Sequence, residues 1–139
     1  MEKAIIVASG KADIGKSLTL SKLGKMLNPS LSITRKDYQI CFDYKNIKIG
    51  LQTFGDTEFY VKNGLTDFLK EDCDLIIIAS KGFGKTVTAI ENFAGANDYR
   101  VIWTTPYRVW DGSITTDDIK RYSASHLFQM VDDVISNII

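Results

Sequence analysis

Short apolar runs alternate along this chain with segments in which apolar residues recur every three or four positions. The runs within residues 4–8 and 74–79 predict buried strands, because they are rich in β-branched or aliphatic residues and glycine follows within a few positions. A third strand is predicted over residues 100–104, shortly before Pro106. Uninterrupted apolar strands of this kind are typical of a parallel sheet that is covered on both faces.

The segments between these strands predict helices. Their apolar stripes are Leu18, Leu23 and Leu27 in the first; Phe59, Leu65, Phe68 and Leu69 in the second; Val87, Ile90 and Phe93 in the third; and Ile119, Tyr122, Met130, Val134 and Ile138 in the last. Asn28-Pro29 ends the first helix, and Gly64 is a candidate break in the second. Either Thr115 or Thr116 is the expected N-cap of the last helix.

Two alternating segments, 40–44 and 47–51, flank the dipeptide Lys45-Asn46. Their period-two pattern predicts a β-hairpin, whose second arm we expect to run on to residues 54–56. Together the patterns predict an α/β fold in a single domain spanning residues 1–139. It would have a mostly parallel sheet with one β-hairpin, and helices on both faces.

Composition narrows the class of protein. Of 139 residues, 45% are hydrophobic, and 17 Lys and Arg balance 17 Asp and Glu. A disordered chain and a globally basic nucleic-acid binder are therefore not expected. No segment approaches the roughly 20 apolar residues that span a bilayer, and the N-terminal run is too short for a secretory signal, so we expect a soluble, cytoplasmic protein.

Three residues with reactive side chains are expected to have packing roles. Cys41 and Cys73 are too few and too far apart for a disulfide framework or a zinc site, so both are predicted to be small buried residues in a reducing compartment. His126, the single histidine, lies near the stripe of the last helix. It is predicted to be packed or capped there and not to bind metal.

Residues 10–17, with the sequence GKADIGKS, fit the phosphate-binding loop G-x-x-x-x-G-K-[ST] between a predicted strand and a predicted helix. Glycines let the backbone wrap a phosphate, while N–H groups and the helix N-terminus face the anion. Lys16 would reach the β- and γ-phosphates, and Ser17 would bind Mg²⁺. The predicted nucleotide-binding residues are Gly10, Lys11, Ala12, Asp13, Ile14, Gly15, Lys16, Ser17 and Leu18.

A second, looser copy of the motif lies at residues 79–86, also between a strand and a helix. The first copy is preferred because Gly10 permits the tight first bend that Ala79 resists, and because more strands follow it. In the second copy, Lys81 and Lys85 would border the nucleotide or an acceptor, or else be solvated. ATP is preferred over GTP because no guanine-specifying Asn-Lys-x-Asp follows a strand.

A phosphate-binding loop also needs a carboxylate at the end of a neighbouring strand to hold a water ligand of magnesium. Asp56 is the first candidate, with helix N-capping as its alternative role, and Asp43 is the reserve. The arginines that could stabilise charge during phosphoryl transfer are Arg35, Arg100, Arg108 and Arg121. The sequence does not choose among them.

Residues 5–17 resemble the start of the deviant-Walker-A ATPases that position chromosomes, plasmids and the division septum. Strand 74–79 and residues 101–106, which end in Thr-Pro, are also similar to that family. The resemblance implies a dimer in which Lys11 reaches the nucleotide of the opposite subunit. The chain departs from the family in having Ala12-Asp13 for two glycines, Ala79 for the Walker B aspartate, and about half the usual length. Gly55-Asp56 and residues 73–81 also look like small bacterial P-loop proteins, which implies nucleotide binding.

The leading hypothesis is a P-loop ATPase that binds Mg·ATP and hydrolyses it, as a homodimeric switch or with a protein partner. Its catalytic residues would be Lys16, Lys11 and Asp56, and its metal ligands Ser17 and Asp56. A small-molecule phosphotransferase with a lid at residues 107–113 is an alternative. A catalytically weak binding module is another, because Ala79 lacks a carboxylate. Four aromatic residues would form a core rim, a partner surface or a base-stacking surface: Tyr99, Trp103, Tyr107 and Trp110.

Overall fold

The computed structural model describes residues 1–11, 15–33, 35, 37–106 and 113–139. In these ranges the elements in chain order are β1 (Ala4–Ser9), α1 (Lys16–Leu27), β2 (Gln39–Tyr44), β3 (Ile47–Gln52), α2 (Glu58–Lys70), β4 (Leu75–Ser80), α3 (Lys85–Asn97), β5 (Arg100–Thr104) and α4 (Thr116–Ile135). The predicted α/β class is confirmed. None of the described helices combines the length and hydrophobicity that crossing a membrane requires.

The strands form one mixed sheet in the order β2-β3-β4-β1-β5. β1 pairs in parallel with β4 and β5, and β3 pairs in parallel with β4. β2 is antiparallel to β3, and positive φ angles at Lys45 and Asn46 form the tight two-residue turn between them. The hairpin prediction is therefore confirmed, although β3 ends at Gln52 and not near residues 54–56. The carboxyl ends of β1, β3, β4 and β5 share one edge of the sheet.

Alternate residues of the central strands enter two different hydrophobic clusters. Ile6 and Ile77 belong to the cluster that contains Leu20 of α1 and Leu127 of α4. Their neighbours in the chain, such as Ile5, belong to the cluster that contains residues of α2 and α3. Because successive strand side chains point to opposite faces, the uninterrupted apolar runs of β1 and β4 supply residues to both clusters.

Three details of the helix predictions are wrong. Leu18 is 44% exposed, and the buried leucines of α1 are Leu20, Leu23 and Leu27. Phe59 is exposed at the start of α2. Gly64 does not interrupt α2, and a Cβ there would lie 2.0 Å from the side-chain oxygen of Gln52. The glycine therefore allows α2 to pack closely on β3.

The last helix begins where expected but buries a different stripe. Thr115 is the N-cap and forms a capping box with Asp118. Tyr122 and Ile138, both predicted core residues, are exposed. The buried positions of α4 are Lys120, Ser123, Ala124, Leu127, Val131 and Val134. His126 is exposed as well, because successive helix residues are rotated by about 100° and the face next to α1 centres on Leu127.

The cysteines are closer together than the sequence suggested. Cys73 is buried, as predicted, whereas Cys41 on the edge strand β2 is exposed. Their sulfur atoms are 3.8 Å apart. The turn between α2 and β4 brings Cys73 beside β2, so the two thiols contact each other and the prediction that both are buried, separate packing residues is wrong for Cys41.

Candidate phosphate-binding site

The first motif copy lies at the edge where the parallel strands end. The backbone N–H of Gly10 donates to the carbonyl of Ser80 at the end of β4, with an N–O distance of 3.2 Å. The hydroxyl of Ser9 donates to the carbonyl of Thr104 at the end of β5, at 2.8 Å. The end of β1 is therefore fixed to both neighbouring strands, at the edge where open α/β sheets bind ligands.

Two glycines give this loop the backbone that the motif requires. Gly10 has φ 143° and Gly15 has φ 92°, both in the region that L side chains rarely adopt. Gly15 is the N-cap of α1 and makes no side-chain capping hydrogen bond, so no N-cap side chain satisfies the N–H groups at the positive end of the helix dipole. The predicted binding residues Ala12, Asp13 and Ile14 lie outside the described residues.

Lys16 is the first residue of α1, and its side chain is only 5% exposed. Its ammonium donates to the carbonyl of Gly10 at 2.8 Å, to the carbonyl of Ser80 at 3.1 Å and to the carboxylate of Asp56 at 2.9 Å. A buried ammonium requires such partners, because losing water around a charge is costly. The lysine is therefore held where the ends of β1 and β4 meet the segment after β3.

Asp56 reaches this lysine although β4 lies between β3 and β1 in the sheet. The reason is Gly55: a Cβ on this residue would lie 1.7 Å from the carbonyl oxygen of Ala79, so only glycine lets the segment cross the end of β4. Asp56 does not cap α2, because Thr57 is the N-cap and accepts from the N–H of Tyr60. The alternative role for Asp56 is therefore wrong.

The reserve carboxylate is in the wrong place. Asp43 lies on β2 next to the hairpin turn, at the edge of the sheet opposite to Lys16. Its side chain is exposed. Asp56 is therefore the acidic residue, among those the structure describes, that contacts the lysine of the loop.

A cavity of about 330 Å³ opens beside Lys16. It is lined by Gly15, Lys16, Ser17, Leu18, Asp37, Phe54, Asp56, Thr116 and Lys120. The hydroxyl of Ser17 donates to the carbonyl of Thr53, at 2.9 Å. Lys11 is exposed next to Gly10. Of the predicted site residues that are described, Gly15, Lys16, Ser17, Leu18 and Asp56 line this one cavity.

Lys120 is a cavity residue that sequence reasoning missed. Its side chain comes from α4, is 9% exposed, and places its Cε and Nζ atoms 2.0 Å from where a Cβ on Gly15 would lie. The available signal was its spacing of seven residues from Leu127, which puts the two on one face of the helix. Among the cavity-lining residues of the described chain, Lys16 and Lys120 supply the positive charge.

The second motif copy lies beside the first but holds its lysine differently. α3 begins at Lys85 after Gly84, and Lys85 is exposed, in contrast to Lys16. The hydroxyl of Ser80 donates to that of Thr86 at 3.0 Å. A cavity of about 250 Å³ at this loop is lined in part by Lys81, Lys85 and Asp56. Asp56 therefore borders both cavities.

The oxygen atoms near Lys16 are of the types that Mg²⁺ binds in nucleotide sites. In the described ranges there is no group of three or more His, Cys, Asp or Glu that could hold a metal. Ser17 and Asp56 supply one hydroxyl and one carboxylate to the same cavity. Mg²⁺ in nucleotide sites takes one or two carboxylates and completes its shell with phosphate oxygens and water.

The remaining candidate residues are dispersed. Arg100 lies at the amino end of β5 and donates to the carbonyl of Ile139, while Arg121 pairs with Asp118 at 3.1 Å. Arg35 is exposed, and Arg108 lies outside the described residues.

The four candidate aromatic residues differ in exposure and in whether the structure describes them. Tyr99 is buried and Trp103 is exposed, whereas Tyr107, Trp110 and most of the predicted lid lie outside the described ranges.

Comparison with known proteins adds no family assignment. The chain matches no protein-family model, no curated protein and no solved structure. The resemblance to deviant-Walker-A ATPases therefore stays a prediction.

Proposed function

We propose that this chain binds Mg·ATP at residues 10–17 and hydrolyses it. The observation that carries this proposal is the position of Lys16: a buried ammonium at the first turn of a helix, at the edge where four parallel strands end, with a carboxylate at 2.9 Å. An anion that enters this cavity meets a helix N-terminus and two lysines, while Asp37 and Asp56 line the same space.

Binding of a phosphate would change the hydrogen-bond partners of Lys16. Lys16 now donates to two backbone carbonyls and to Asp56, and a γ-phosphate would replace part of this set with stronger, charge-assisted hydrogen bonds. Asp56, once released, would orient a water molecule, and Ser17 would turn its hydroxyl from Thr53 toward the metal. Mg²⁺ bound with the nucleotide would neutralise charge on the phosphate oxygens.

The packing supports the three-layer form of the P-loop fold as part of the same proposal. One cluster joins the sheet to α1 and α4, and the other joins it to α2 and α3. In the chain β1 is followed by the loop that contains Gly10 and Gly15, and then by α1, which begins at Lys16. A strand, a glycine loop and a helix in this order are the context that the motif requires.

Calorimetric titration with Mg·ATP tests the proposal. The wild type is compared with Lys16→Ala and with the matched control Lys85→Ala, which removes the equivalent lysine of the second copy. Lys16→Ala should weaken binding by about tenfold or more, because a charged hydrogen bond contributes about 1.5–3 kcal/mol. Lys85→Ala should bind like the wild type. Equal affinity of the wild type and Lys16→Ala would exclude the assigned site.

Phosphoryl transfer to a small anionic acceptor is the second candidate function. The observation in its favour is the cavity at the second motif copy, where Lys81 and Lys85 face a space that shares Asp56 with the first cavity. ATP turnover that one metabolite stimulates, with a phosphorylated product, would favour this function over hydrolysis. Absence of multiple turnovers in either assay would leave a nucleotide-binding module.

A further inference from the structure

A separate cavity of about 240 Å³ lies between the end of β5 and the middle of α4. It is lined by Trp103, Thr104, Thr105, Pro106, Ser123, His126, Leu127 and Met130. None of the described residues of the loop at residues 10–17, or of its second copy, is among these walls. The volume is below the roughly 300–1,000 Å³ of pockets for whole drug-sized ligands, so it suits one part of a ligand, such as a single ring system.

A buried serine, Ser123, lies on the wall of this cavity. The residue is only 3% exposed, and within the described chain its hydroxyl has no hydrogen-bond partner. A buried hydroxyl without a partner is costly, so a ligand that pairs with it gains affinity. A hydroxyl both donates and accepts, which suits the ring nitrogens and amino groups of a heteroaromatic base.

Both walls of the cavity are joined to the phosphate-binding loop. Thr104 on one wall accepts from Ser9, the residue before Gly10, at 2.8 Å. On the other wall, Ser123 follows Lys120 by three residues of α4, which is a rise of about 4.5 Å. The Lys120 side chain in turn lies against Gly15. A ligand that fills both cavities would therefore follow α4 from Lys120, which lies beside Gly15, to Ser123.

We propose that this cavity receives the heteroaromatic base of the nucleotide whose phosphates bind at Lys16. The inference rests on the proposed function. Pro106 and Leu127 are buried and supply apolar surface for the ring, Ser123 supplies the directional hydrogen bond, and His126 is exposed at the rim. The base would then be selected by α4 and β5, while the loop binds the phosphates.

Two ligands separate the base from the phosphates: Mg·ATP, and inorganic tripolyphosphate with Mg²⁺. Binding of both is measured by calorimetry for the wild type, Ser123→Ala and His126→Trp, with Ser125→Ala on the exposed side of α4 as control. His126→Trp narrows the cavity from an exposed position, so it is compatible with folding, which thermal unfolding checks. Both cavity variants should bind ATP about threefold to tenfold more weakly, and tripolyphosphate within about twofold of the wild type.

The outcomes are distinguishable. If the wild type binds neither ligand, the proposed function fails and this inference fails with it. If the wild type binds tripolyphosphate as tightly as ATP, the phosphate site stands but the base cavity is overturned. Equal weakening of both ligands in folded variants would also overturn it, because the residues would then act on the loop and not on the base.

Discussion

The ammonium of Lys16 lies 2.9 Å from the carboxylate of Asp56, although 40 residues separate the two in the chain. The pair is asymmetric, because the lysine side chain is 5% exposed and the aspartate side chain is 53% exposed. An ion pair with one solvated partner contributes little stability. Asp56 can therefore leave Lys16 when a phosphate arrives, while Lys16 stays in place.

Replacing Asp56 by Asn should separate binding from turnover. The substitution keeps the shape but removes both the charge that competes with phosphate for Lys16 and the carboxylate offered to Mg²⁺, two opposing effects, so Mg·ATP affinity should change less than turnover does. Phosphate release should fall by about tenfold or more, because the proposed water-orienting carboxylate is lost. Calorimetry and a phosphate-release assay measure the two quantities. Asp43→Asn, at the opposite edge of the sheet, is the control, and unchanged turnover in Asp56→Asn would remove Asp56 from the mechanism.

Lys11 tests the dimer that the resemblance implies. It is exposed beside Gly10, so removing its side chain should leave ATP affinity of the isolated chain within about twofold. If Lys11 acts across a dimer, Lys11→Ala should lower turnover at high protein concentration by about tenfold. Turnover per chain is measured across a dilution series, with the exposed Lys25→Ala of α1 as control. A variant as active as the wild type at every concentration would contradict this role.

Gly55 should tolerate no side chain. A Cβ there would lie 1.7 Å from the carbonyl oxygen of Ala79, which is backbone and cannot rotate away. Gly55→Ala should lower the free energy of unfolding by about 1–3 kcal/mol and displace Asp56 from Lys16. Urea unfolding measures the loss. The control is Gly95→Ala in α3, which has open space around its Cβ position and should be stabilised by about 0.5–1 kcal/mol.

Tyr99 and Cys73 should make the protein sensitive to alkali. The Tyr99 hydroxyl donates to the Cys73 carbonyl at 2.6 Å, and burial raises the pKa of Tyr99 from 10.0 to about 12 and the pKa of the Cys73 thiol from 9.0 to about 12. The unfolded chain loses these protons first. The contribution of these two groups to the free energy of unfolding is therefore constant below about pH 9 and is lost as the pH rises toward 12.

Urea unfolding at pH 7, 9, 10 and 11 checks this dependence. The free energy of unfolding should fall with increasing pH above about pH 9, and Cys73→Ala should reduce the part of the fall that begins near the ordinary pKa of a thiol, to which Cys41, whose pKa burial also raises, contributes the rest. A wild-type stability that stays constant to pH 11, or a Cys73→Ala variant with the same alkaline slope, would contradict the assignment.

The sequence predicted much of the fold because its signals are local. Apolar runs identified β1, β4 and β5, alternation identified the hairpin, and glycine spacing identified the loop before α1. Helix faces were less predictable. In α4 the apolar residues do not define one helix face unambiguously. Packing against α1 buries Leu127 and not Tyr122, which the sequence pattern had placed in the core.

For the site, the sequence by itself determined the residue types and the glycines that phosphate binding requires, because backbone conformation at Gly10 and Gly15 depends on the residues themselves. Only the tertiary structure decided that Lys16 is buried and Lys85 exposed, that Gly55 carries Asp56 across the end of β4, and that α4 adds Lys120 and Ser123. These contacts depend on strand order and on how each helix packs against the sheet and the other helices. Both are set by packing between residues far apart in the chain, which no local pattern records.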